Sequence, residues 1–307
     1  MGQYAIRRIV ACIPVILGLI TVVFFLMRLL PGDPVSVMMT EFAAAAEDQE
    51  KIREQLGLND PLLVQYGRYL LNLLRGDMGE SVFSHRAVSE QIMSQLPATL
   101  ELALASTAIG VIGGLFIGIF AAAWRDSLFD RVSMFISLFF ISMPSFWVGL
   151  IFIYIFALGL RWFPVAGTGG WEHLILPAVV LGIRPIAVVG RVVRTSMLET
   201  LNNDFVVTAR AKGLEERQVL FGHALRNALI PTITLIGLQF GYALGGAVII
   251  ETVFGRQGIG ALAVGAVQKH DYPLVQGTVL FVGFVFVLAN LIVDLLYGVV
   301  DPRIRYE

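Results

Sequence analysis

The sequence predicts an all-α membrane protein with six transmembrane helices, and three observations carry that expectation. The 307 residues are 57% hydrophobic and include 21 Phe but only three Lys, more apolar surface than one soluble core can bury. Six apolar runs reach the ~20 residues needed to cross a hydrocarbon layer. Between the fourth and fifth runs, a polar stretch is patterned as two short helices around a glycine, too ordered for a bare connector.

The first run, residues 9–30, follows Arg7 and Arg8 as a secretory signal would. Its length and the absence of a small-residue cleavage site in Arg28-Leu-Leu-Pro-Gly-Asp make it a retained helix, stopped by the turn Pro31-Gly-Asp-Pro34. Residues 31–97 form the only large extramembrane piece. Helical spacing over 47–56 and an amphipathic pattern from Pro61 to Leu74 predict a small folded external cap. The second run, 98–123, carries Gly110, Gly114 and Gly118 four apart, a flat stripe that lets another backbone approach. The third, 132–160, is longer than a span and needs tilt or a kink at Pro144. The fourth is 173–193. The fifth, 229–254, repeats the glycine stripe at Gly237, Gly241 and Gly245, and the sixth is 275–300.

Charge sets the expected orientation. Arg7, Arg8, Arg125, Arg131, the basic residues from Arg191 to Arg226, Arg303 and Arg305 all fall on one side of a six-span path, which predicts cytoplasmic N- and C-termini and a cytoplasmic polar stretch. A net charge of −1 gives no general attraction to nucleic acid. The single cysteine, Cys12, has no internal disulfide partner and reads as a small core or lipid-facing residue.

Within the polar stretch, Asp204 is placed to cap a helix whose apolar Phe205, Val206 and Ala209 recur at helical spacing. Arg210 and Lys212 face the negative end of its dipole, and Gly213 stands where a left-handed residue would end it. A second helix then opens with Glu215 and Glu216 in its first turn and Val219, Leu220 and Leu225 on an apolar stripe. Pro231 suits the first turn of the membrane helix that follows.

Catalytic patterns are missing. Lys51, Lys212 and Lys269 do not follow a glycine, so no phosphate loop is present, and neither His-Glu-x-x-His nor Gly-x-Ser-x-Gly occurs. His85, His173, His223 and His270 are scattered through loops and helix ends. Polar groups inside the spans are few. Arg184, beside Pro185, and Gln239 are candidate translocation-pathway residues, with ion pairing and helix-to-helix hydrogen bonding as the structural alternatives. Asp294 reads as a structural pairing partner, and Glu101 and Glu251 as solvated charges near external helix ends.

Thr208-Ala-Arg-Ala-Lys-Gly213, followed by His223-Ala-Leu-Arg-Asn-Ala-Leu-Ile-Pro231, resembles the EAA coupling motif of ATP-binding-cassette (ABC) importer permeases in the dipeptide, oligopeptide and nickel branch. Val207 and Thr208 stand where the general motif has Glu and Ala, and Arg226 where many members have Pro. Leu30-Pro-Gly-Asp-Pro34, Leu56-Gly-Leu-Asn-Asp-Pro61, Gly76-Asp-Met-Gly-Glu-Ser81, Leu96-Pro-Ala-Thr-Leu100, Glu251-Thr-Val-Phe254 with Gly258-Ile-Gly260, and Asn290 to Tyr297 with Asp301-Pro-Arg303 extend the resemblance over nearly the whole chain.

The resemblance implies a B-type permease subunit with the type I ABC importer permease fold, in a bacterial or archaeal cytoplasmic membrane. It implies a first segment 1–30, an extracytoplasmic region 31–97 and a core permease domain 98–307. Within the coupling segment 204–222, it assigns ATPase coupling to Thr208, Ala209, Arg210, Ala211, Lys212, Gly213, Leu214 and Glu215. No cofactor is expected on this chain, with ATP and Mg held by partner subunits. The implied partners are a second homologous permease, two cytoplasmic ATPase subunits, an extracytoplasmic substrate-binding protein and membrane lipid. Dipeptides or oligopeptides are the implied cargo, with nickel or glutathione as alternatives within the family. The residues read without the family leave an ion-coupled secondary transporter, a scaffold or an enzyme with an unrecognised motif open.

Overall fold

The structure, a computed structural model, describes residues 2–29 and 59–300. The expected turn at 31–34, the helix over 47–56 and the 301–303 phrase lie outside the described residues. The described chain is helical, and its one extended pairing is an isolated antiparallel bridge between Glu80 and Ala87. Its elements are α1 (Gly2–Leu29), α2 (Leu62–Leu74), α3 (Val88–Ala123), α4 (Leu128–Ser142), α5 (Ser145–Phe152), α6 (Trp171–Leu201), α7 (Asp204–Ala211), α8 (Glu216–Gln218), α9 (Leu225–Val253), α10 (Ile259–Gln268) and α11 (Tyr272–Val300). Five of them, α1, α3, α6, α9 and α11, are long and apolar enough to cross a membrane. The α4–α5 pair makes a sixth if it counts as one span.

The third run departs from expectation. It is not a kinked helix but two helices bent by 108° at a short break. Pro144 has no N–H to donate, and its ring pushes Met143 out of the helical region to φ −86°, ψ 138°, so the chain is extended for two residues before α5 begins. A π-helical stretch, Ile153–Gly159, continues α5. The second run also starts earlier than expected. α3 begins at Val88, because Val88 and Ile92, one turn apart, are buried against α10 and α11, with Leu96 packed beside them.

Both glycine stripes act as packing seams. A Cβ at Gly110 would stand 2.4 Å from Cβ of Pro185, and one at Gly118 would stand 2.6 Å from the carbonyl oxygen of Gly190, so α3 and α6 meet backbone to backbone. On α9, Gly237 and Gly241 receive Val293 and Phe286 of α11, whereas Gly245 has open space where a side chain would be. α1 lies along α11, with Leu19 against Gly283, and one of its arginines pairs with the sixth span as expected of Asp294: Arg8 Nη1 donates to Asp294 Oδ2 at 2.8 Å. The amphipathic α2 leans on α1 through the Tyr66 and Thr21 hydroxyls, 2.7 Å apart, and through Phe24.

A second ion pair fixes the broken span. Arg194 of α6 donates through Nε and Nη2 to both carboxylate oxygens of buried Asp130 on α4. At the opposite end, Asp271 accepts from the N–H of Leu274 at the start of α11 and from the Ser81 hydroxyl, tying the segment before α3 to the α10–α11 turn.

Candidate coupling site

The segment after α6 is a self-supporting knob. Its first helix, α7, has Asn203 as its N-cap residue, in extended conformation and without a side-chain cap bond. The expected cap, Asp204, is instead the first helical residue, where its charge still favours the positive end of the dipole. The Asn203 carbonyl accepts from the Val206 and Val207 amides, and the Thr208 hydroxyl returns to the Asp204 carbonyl.

The helix ends as the sequence predicted. Gly213 has φ +82°, the left-handed region that costs a side-chain-bearing residue about 1–2 kcal/mol. The Gly213 N–H donates to the Arg210 carbonyl at 2.9 Å and the Leu214 N–H to the Ala209 carbonyl at 3.4 Å. This pair of bonds is a Schellman closure, and the apolar contact that accompanies such closures is made by Leu214 against the buried cluster of Val206, Ala209 and Val219. Arg210 bridges the turn to Glu216, which holds the Glu216 carboxyl below its ordinary range and raises the Arg210 guanidinium.

Beyond the turn, expectation and structure differ. The second helix does not stop before the next span. α8 passes through a π-helical stretch, Val219–Ala224, straight into α9, so Pro231 lies inside a membrane helix rather than in its first turn. The knob's second arm is therefore continuous with a span. The first arm is joined to α6 by the two-residue turn at Asn202 and Asn203.

The candidate coupling residues divide into two groups. Ala209 is buried in the knob's own core, and Leu214 packs against it. Thr208, Arg210, Ala211, Lys212, Gly213 and Glu215 are exposed, with Phe205, Val207 and Phe221 as exposed apolar neighbours. A shallow groove of about 600 Å³, lined by Leu214, Glu215, Arg217, Gln218, Phe221 and His223, opens beside them. Large apolar side chains set among arginines and a lysine give the composition of a protein-docking surface.

The two pathway candidates are not brought together on one open surface. Gln239 is buried within the chain, whereas Arg184 is exposed, its guanidinium carbon 5.8 Å from the centroid of the Tyr242 ring. Glu251 is also a correction. Expected to be solvated, it is fully buried, and its carboxylate accepts from the Thr99 hydroxyl at 2.7 Å and from the amides of Gly260 and Ala261 at 2.8 and 3.1 Å. Glu251 thereby caps α10, and Gly258 is required there because a Cβ would lie 2.2 Å from its carboxyl carbon. Glu101 keeps half its side chain exposed but pairs with Arg256, which is buried. Sequence reading missed this cluster, although the glycines of Gly258-Ile-Gly260 following Glu251 were its visible sign.

Residues 114–306 match the family model described as binding-protein-dependent transport system inner membrane component, and residues 1–103 match the N-terminal model of the same system. The chain belongs to this family. The permease is 42% identical over all 307 residues to the glutathione transport system permease protein GsiC of Salmonella paratyphi A, and 41% identical to GsiC of Escherichia coli (strain K12), each covered in full. Among solved structures, the MetNI methionine ABC transporter in inward-facing conformations matches with TM-score 0.55 at 17% identity, over 68% of the permease and 96% of that chain. An amino acid ABC transporter crystallised with histidines matches with TM-score 0.53 at 18% identity, over 70% and 94%. These likenesses establish the type I ABC importer permease fold. The permease is thus a multi-pass inner-membrane subunit of an ABC importer, of the dipeptide, oligopeptide and nickel branch, and has no catalytic site of its own.

Proposed function

We propose that the permease carries short peptides, glutathione among them, through the cytoplasmic membrane, driven by separate ATPase subunits that grip the knob at 204–222. Similarity to glutathione permeases along the entire chain supports the cargo class, glutathione being itself a tripeptide. The observation that carries the coupling role is the closed turn at Gly213, which presents Thr208, Arg210, Ala211 and Lys212 on a rigid, partly apolar surface. The knob's second arm runs unbroken into α9, so a push on the knob moves a span as a lever. Basic residues concentrated at this end of the helices favour a cytoplasmic knob and cytoplasmic termini.

The complete assembly in this reading has a second homologous permease, two ATPase chains holding ATP and Mg, and an extracytoplasmic binding protein that delivers the cargo. Proteoliposomes containing that assembly test it. ATP-dependent accumulation of labelled glutathione or a dipeptide is expected, and uptake of nickel with no uptake of either peptide would overturn the cargo assignment.

A further inference from the structure

Arg184 sits near the middle of α6, within the apolar stretch between His173 and Arg191, yet its side chain is exposed. Among the described residues no carboxylate forms an ion pair with it. The Tyr242 ring of α9, whose centroid lies 5.8 Å from the Arg184 guanidinium carbon, is also exposed. Seven residues on, about 10 Å further along the same face, Arg191 is exposed and likewise without an ion pair among the described residues. Arg194 behaves differently, being tied to Asp130. The adjoining stripe of α9 is open: Leu238, Tyr242, Gly245 and Ile249 are exposed, and a Cβ at Gly245 would meet nothing within 4 Å.

An unpaired guanidinium at mid-depth is expensive against hydrocarbon, and intramembrane charges of this kind face the protein interior or a water-filled cavity. In the assembled transporter a face of this kind borders either a partner subunit or a polar passage. Two guanidiniums of one sign, with the Tyr242 ring beside the first, select anions, and a planar guanidinium fits a carboxylate with two parallel hydrogen bonds. We propose that Arg184, assisted by Tyr242 and followed by Arg191, forms a station on the passage that binds a free carboxylate of the passing peptide. The proposal rests on the peptide-import reading and assigns it a chemical preference: peptides with free carboxyl groups pass in preference to the same peptides with those groups amidated.

The test uses the assembled transporter in proteoliposomes with two probes, glutathione and glutathione amidated at both of its carboxyl groups. Arg184→Gln is expected to lower glutathione uptake about tenfold or more, since a charge-assisted pair is lost, whereas Arg184→Lys, which keeps the charge but not the paired hydrogen bonds, should lose less. For the amidated probe, Arg184→Gln should lower uptake by a much smaller factor, because the interaction is already absent. Equal losses for both probes, or unchanged glutathione uptake by Arg184→Gln, would overturn the station. So would loss of the second permease from the purified Arg184→Gln complex, which would make Arg184 an interface residue. Failure of the unsubstituted complex to move either probe would overturn the peptide reading and the station with it.

Discussion

Arg210 and Glu216 face each other across Gly213 and close the knob with two hydrogen bonds, Nη2 to Oε1 at 2.6 Å and Nε to Oε2 at 3.1 Å. Both side chains are about half exposed, so solvent screening leaves the pair at most ~1 kcal/mol. Because the Glu216 carboxyl is held below its ordinary 4.5, this contribution is complete above that value and is lost as pH falls through the lowered one. Hydrogen exchange of the 204–222 amides should thus be insensitive to this pair between about pH 6 and 8. Glu216→Gln should loosen the turn slightly at neutral pH. A large loss of protection in Glu216→Gln would mean the pair holds the knob by itself.

Gly213 is conformationally required but not sterically crowded, since nothing lies within 4 Å of a Cβ built there. Gly213→Asn should therefore preserve coupled transport, because asparagine tolerates the left-handed region, while Gly213→Val should cost about 1–2 kcal/mol locally and uncouple ATP hydrolysis from uptake. Equal transport by the two variants would contradict the requirement.

Ala209 and Ala211 separate folding from docking. Ala209→Glu places a carboxylate in the apolar cluster of Val206, Val219 and Leu214, at a cost of several kcal/mol, and should make the knob sensitive to limited proteolysis. Ala211→Glu changes an exposed position and should leave the knob intact, within ~0.5 kcal/mol, while abolishing ATPase coupling. Proteolysis of both variants beside ATPase assays tells them apart, and a proteolysed Ala211→Glu knob would contradict the assignment of that face.

Glu251 should be a stability residue. Glu251→Ala leaves the Thr99 hydroxyl and the amides of Gly260 and Ala261 without their acceptor, at about 3 kcal/mol or more, whereas Thr99→Val should cost about 1–2 kcal/mol. Thermal unfolding of the detergent-solubilised complex measures both, and an unchanged Tm for Glu251→Ala would refute the capping role.

The spans and the knob's turn were legible because their signals are local. Hydrophobic run length marked the membrane helices, and Gly213 after Arg210 and Lys212 marked the left-handed stop. What escaped depended on distant partners. Glu251 looked solvated because the α10 amides that bury it arrive from a later loop, and Asp130 gave no sign of Arg194, on a helix two elements away. Pro144 marks a perturbation in the sequence, but whether a proline kinks a helix or breaks it is decided by what each half packs against, which one segment does not encode. Ala209 and Ala211 have the same chemistry in sequence, and only the fold separates the buried one from the exposed one.

If the knob is the ATPase contact, photocrosslinking will join the two chains there. A photoreactive amino acid is placed singly at Ala211, on the knob's exposed face, and at Glu80, in the exposed segment before α3 at the opposite end of the helices. Irradiation of membranes containing the whole assembly should join position 211 to the nucleotide-binding chain and leave position 80 free of that adduct. An ATPase adduct from position 80, or none from position 211 in a complex that still transports, would contradict the account.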